Sequence, residues 1–179
     1  MGAKLDALNP KLVEFIEAQQ LFFVATAGTD GHVNMSPKGL DSLRVQDHNT
    51  LLWLNLTGSG NETAAHLLEQ NRMTVMFCSF DELPLILRCY GTAKTYHPRD
   101  DEWEQLSSHF PDYPSARQIF KVHIDLVQTS CGYGLPKMDF VSERSNFDDW
   151  VEKKGGKPGV EKYWKEKNSV SLNGKPTGI

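Results

Sequence analysis

The chain has 179 residues, 39 % hydrophobic and 23 % charged, which is one ordinary globular domain and excludes a disordered, collagen-like or coiled-coil chain. Nineteen Lys and Arg against 23 Asp and Glu leave a net charge of −4, so a nucleic-acid-binding surface is not expected, although a local basic pocket for one phosphate group is compatible. Cys78, Cys89 and Cys131 form no Cys-x-x-Cys pair and read as reduced thiols in a cytosolic protein.

The start, Met1-Gly2-Ala3-Lys4-Leu5-Asp6, is too polar for a signal peptide, and Asp6 breaks the myristoylation pattern. Nowhere do 18 apolar residues run together, so no membrane association is expected and the predicted location is the cytoplasm. Asn9-Pro10 opens a helix over about residues 10–20, with Leu12, Phe15 and Ile16 on one face. Residues 21–26 are short, aromatic and β-branched, as in a buried strand. A Gly28–Gly31 hairpin turn leads to a second strand through His32–Ser36. Strands follow near Leu43–Val45 and over Thr50–Leu56, with a turn at Asp47-His48-Asn49.

The polar loop Thr57–Thr63 opens a helix over 64–69, with a Ser59-x-x-Glu62 capping box or Asn61 as the cap. Strands are predicted at 72–78 and 85–93. A helix runs from His97-Pro98 to about His109, and the next strand spans 118–129. Beyond Cys131 the texture becomes loop-like, with two charged amphipathic helices near 147–153 and 160–167 and an extended end. About six strands with frequent turns predict a mainly β fold, an antiparallel barrel flanked by helices.

The loop after Thr50–Leu56 carries the clearest chemistry. Backbone N–H groups at a helix N-terminus, beside hydroxyls and glycines, suit an anion, and Lys38 on a neighbouring strand supplies a cation. The pattern is neither a P-loop nor Gly-x-Gly-x-x-Gly. The plainer reading is a capped helix after a tight turn, with Lys38 on a solvated edge. The six histidines are scattered without ligand spacing, so no metal is expected; His66 is expected at the surface, and Cys131 reads as a buried, inert thiol.

Several pieces together resemble the pyridoxamine 5′-phosphate oxidase-like family of FMN-binding split β-barrels. They are Phe22–Thr26 with Gly31, Ser36-Pro37-Lys38-Gly39, Asn55–Thr63, Asn71–Phe77 and Leu87–Ala93, in that order, over about residues 10–133. The Cys131–Pro136 loop resembles a subgroup whose substrate is not established. The resemblance implies a split-barrel domain over residues 1–133, with a helical and extended C-terminal extension, 134–179, packed on it. It implies FMN at a homodimer interface. Ser36 and Lys38 would line the phosphate and ribityl chain, Ser59, Asn61 and Thr63 the phosphate loop, Trp53, Leu54 and Asn55 the ring edge, and Arg88 would face the flavin near the dimer seam. The implied activity is FMN-dependent hydride transfer with a small-molecule substrate. The alternative is a non-catalytic carrier or sensor of FMN, haem or a deazaflavin.

Two departures stand out. The oxidase of this family has an Arg and Lys cluster in its phosphate loop, where this chain has Gly60-Asn61-Glu62. It also ends in a Trp-Arg-x-x-Arg-Leu-type strand, whereas this chain runs Ser171-Leu172-Asn173-Gly174-Lys175-Pro176. Pyridoxamine phosphate oxidation is therefore not the expected reaction.

Overall fold

The computed structural model describes residues 2–179. Eight strands form one antiparallel sheet: β1 (Lys4–Leu5), β2 (Phe22–Thr26), β3 (Asn34–Lys38), β4 (Leu43–Asp47), β5 (Thr50–Leu56), β6 (Met73–Cys78), β7 (Leu85–Tyr96) and β8 (Ala116–Cys131). The order is β3-β2-β6-β7-β8-β5-β4, with β1 paired to β8. This is a split-barrel arrangement with open edges at β3 and β4. Seven of the eight correspond to strands expected from the sequence; the one not foreseen is β1, which is only two residues long and pairs with β8.

The long strands β7 and β8 form the spine. Their pairing runs from Leu85–Cys131 to Tyr96–Ile119 and slips at Tyr90/Gly91. Gly91 sits at that bulge because a Cβ there would lie 1.8 Å from the His123 carbonyl oxygen.

Helix α1 (Pro10–Glu17) starts as predicted, with Asn9 Oδ1 accepting from Leu12 N at 3.0 Å. Its Leu12, Phe15 and Ile16 close one end of a core built on Trp53, Phe77 and Phe120. Trp53 stacks on Phe120 with centroids 4.8 Å apart. Strand β5 is buried on both faces. Leu51 and Trp53 face that core, while Leu52 and Leu54 pack with Leu106 and Phe110 around α3 (Trp103–Ser107). That two-sided burial explains the unbroken apolar run Leu51–Leu54.

Three expectations fail for local reasons. The helix predicted over 97–109 is only α3, because Asp100 Oδ2 accepts from His97 N at 2.8 Å and turns the chain before the helix begins. The Ser59–Glu62 capping box does not form: α2 (Glu62–Glu69) has Asn61 at its N-cap without a side-chain capping bond, and the Glu62 carboxylate binds elsewhere. His66 is buried rather than at the surface, its Nδ1 lying 3.1 Å from Thr26 Oγ1 where α2 packs on β2. A fourth concerns Cys131, which was expected to be buried but is exposed at the end of β8, while Cys78 and Cys89 are buried.

After β8, α4 (Asn146–Lys153) and α5 (Gly156–Tyr163) form a small cluster around Val151, Val160 and Trp164. A wider π-type turn over Trp164–Asn168 leads to the end of the chain. No helix among the described residues is long and apolar enough to cross a membrane.

Candidate functional site

Alternation on β3 sets one wall of the site. Asn34, Ser36 and Lys38 are half-buried and turned inward, while Met35 and Pro37 are exposed. The opposite wall is the loop from Gly58 to Asn61 and the first turn of α2. Together they line a polar cleft of about 530 Å³. Thr63 is buried beside Asn34, whose Nδ2 donates to Thr63 Oγ1 at 3.2 Å.

A residue that the sequence reading did not single out completes the polar end. Arg117, at the start of β8, is 3 % exposed. Its Nη1 donates to the Gly60 carbonyl at 3.1 Å, and its Nε has no partner. Burial lowers its pKa to about 10. Burial, and then the Arg117 charge beside it, lowers Lys38 to about 8. Neither cation has an acidic partner among the described residues. Two neighbouring cations withdrawn from water without a counter-ion are costly, and an anion between them removes that cost.

The backbone supplies the remaining donors. Among the described residues, the N–H groups from Gly58 to Thr63 have no protein acceptor. With the positive end of α2, these N–H groups and the two cations form a cradle suited to a phosphate group. The Gly60-Asn61-Glu62 loop carries no cation of its own; Lys38 and Arg117, which border it, come from β3 and β8.

This polar cleft continues through Lys38, Asn55, Gly58 and Ser59 into an apolar cleft of about 860 Å³. Trp53, Leu54 and Leu56 form its floor, and Phe140, Phe147 and Trp150 from the C-terminal extension face them. The Trp53 and Leu54 side chains are core residues, each 1 % exposed, so mainly their edges and backbone border the cleft. Asn55 Nδ2 donates to Gln118 Oε1 at 3.0 Å, leaving Gln118 Nε2 without a partner.

Of the residues singled out from the sequence, Ser36, Lys38, Asn55, Ser59, Asn61 and Thr63 come together at the polar end. Trp53 and Leu54 border the apolar end. Arg88 stands apart from both clefts, on β7, where its Nη1 donates to Ser130 Oγ at 3.0 Å. Arg117 carried one weak signal in the sequence: a cation followed by Gln118 just where an apolar strand begins.

The sequence pattern of the family described as pyridoxamine 5′-phosphate oxidase matches residues 8–131. The pyridoxamine 5′-phosphate oxidase family protein ustO of Aspergillus flavus is 34 % identical over 191 aligned positions, covering 96 % of this chain and 76 % of that protein. Among solved structures, a putative pyridoxamine 5′-phosphate oxidase from Lactobacillus delbrueckii superposes with a TM-score of 0.57 at 21 % identity, covering 69 % of this chain and 94 % of that one. HupZ from Group A Streptococcus gives 0.53 at 20 % identity, covering 66 % and 91 %. These two structures share the fold. From the pattern over residues 8–131 and the identity to the Aspergillus protein, the chain belongs to the pyridoxamine 5′-phosphate oxidase family.

Proposed function

We propose that the chain is an FMN-dependent oxidoreductase acting on a small organic substrate. The observation that carries this reading is the half-buried Lys38 beside the buried Arg117, neither with a counter-ion, at the polar end of a cleft whose other end is apolar. The donor set fits a phosphate monoester, and the unpartnered Arg117 Nε is one of its free donors. The adjoining apolar cleft fits a planar ring system.

In this reading Lys38, Arg117 and the N–H groups of 58–63 hold the phosphate. Ser36 and Asn34 face the ribityl chain, and the strand edge Trp53–Asn55 borders the ring. Phe140, Phe147 and Trp150 exclude water from the ring's surroundings. Bound FMN supplies the hydride chemistry, so the chain's task is to bind, orient and shield. Family membership and the unpaired edges of β3 and β4 support assembly as a homodimer.

The test is the colour of the purified full chain, with the released ligand identified by mass. A yellow protein releasing FMN, reduced by some member of a panel of organic reductants, is the expected result. FMN bound tightly but turned over by none of them assigns the chain instead as a flavin carrier or sensor. A chain that neither retains nor takes up FMN contradicts the reading.

A further inference from the structure

We propose that the C-terminal segment Trp164–Leu172 restricts the cleft to a ligand ending in a single phosphate group, so that a flavin continuing through a diphosphate is rejected. This rests on the flavin mononucleotide reading and deepens it.

The segment is bolted to the phosphate loop. Trp164 Nε1 donates to Thr57 Oγ1 at 2.6 Å, and Thr57 Oγ1 in turn donates to the Ser115 carbonyl at 2.8 Å. Asn168 is fully buried and donates from Nδ2 to the Gly58 carbonyl at 3.1 Å. Leu172 N donates to both oxygens of the Glu62 carboxylate, at 2.9 and 3.1 Å. Farther on, Lys175 Nζ pairs with Glu69 at 2.7 Å. The Gly58 and Gly60 carbonyls are engaged by Asn168 and Arg117, so the peptides between them are fixed and their N–H groups remain as the loop's free donors.

The same contacts close one end of the site. The apolar cleft lies on one side of Lys38 and Ser59; on the other, Val170, Ser171, Leu172 and Glu62 bound the polar cleft. A ligand with its ring in the apolar cleft and its phosphate at Lys38 and Arg117 therefore ends against this wall. Charge points the same way. The half-buried Lys38 and the buried Arg117 match one phosphate dianion, whereas the next phosphate of a diphosphate meets the Glu62 carboxylate. Lys167, exposed on the rim, is the one further cation bordering that end.

The experiment is calorimetric titration of the full-length chain, and of two full-length variants, with FMN and with FAD. The wild type is expected to bind FMN at least about a hundredfold more tightly than FAD. Glu62→Ala removes the charge and frees Leu172 N, and it should narrow that ratio by about tenfold or more. Leu172→Pro takes the N–H donor away from the Glu62 carboxylate and also resets the backbone of the wall at 171–172; it should narrow the ratio in the same direction, so one misfolded variant does not remove the test. Equal affinity of the wild type for FMN and FAD overturns the proposal. So does an unchanged ratio in variants whose circular dichroism matches the wild type. A wild type that binds neither flavin overturns the underlying reading itself.

Discussion

Lys38 and Arg117 are the residues on which the account turns. Replacing either with alanine removes a charge-assisted contact worth about 1.5–3 kcal/mol, so FMN affinity should fall roughly ten- to a hundredfold. Lys11→Ala, at an exposed position of α1, should leave affinity unchanged; equal losses at Lys11 and Lys38 would put the phosphate elsewhere. Lys38 also predicts a pH dependence. In the ligand-free chain its pKa is about 8, and a bound phosphate favours the ammonium and raises it. Binding therefore takes up a proton above that pH, and affinity should fall by up to about tenfold per unit beyond it, a slope that Lys38→Ala abolishes. For folding the sign is opposite. Between about 8 and the ordinary 10.5, the unfolded chain holds the proton that the folded one has lost, so this group's destabilising contribution shrinks as pH rises across that window. Lys38 was legible in the sequence because alternation on β3 turns 34, 36 and 38 to one side. Arg117 carried only a weak signal, because nothing local says that the start of β8 lies against a loop 57 residues earlier in the chain.

At the scale of elements, the spine and the loop brace can be broken separately. Gly91→Ala forces a methyl into the His123 carbonyl at the β7–β8 bulge and should cost at least about 1–3 kcal/mol by chemical denaturation. A wild-type midpoint would mean the bulge relaxes freely. Trp164→Phe keeps most of the packing around Val160 but loses the bond to Thr57. It should cost about 1 kcal/mol and lower Tm by about 2–4 °C. Strand periodicity, the unbroken apolar run of β5 and the Asn9-Pro10 cap made β2, β5, β6 and α1 readable, since each is set by its own residues. The 97–109 helix and the Ser59–Glu62 box misled for one shared reason. In each, a side chain with a good local partner found another, Asp100 at His97 N and Glu62 at Leu172 N.

The whole molecule joins a barrel legible in its sequence to a C-terminal extension whose two helices were legible but whose contacts were not. The extension's role depends on Trp164 and Asn168 reaching back 107 and 110 residues to Thr57 and Gly58, a pairing without a sequence signature. Assembly belongs to this scale too. The β3 edge leaves Val33 and Met35 exposed, and light scattering at micromolar concentration should give about twice the 20.2 kDa chain mass. A mass near one chain would contradict the homodimer. Pyridoxamine phosphate should not be turned over, because a second phosphate needs a paired cationic clamp and the apolar cleft offers only the lone, exposed Arg144 beyond Lys38. Robust release of pyridoxal phosphate from FMN-loaded protein would overturn that. The most direct measurement is a titration of the full chain with FMN and with riboflavin, which differ by the phosphate alone. One FMN per chain is expected, with riboflavin weaker by about a hundredfold or more; equal affinities would contradict a phosphate site at Lys38 and Arg117.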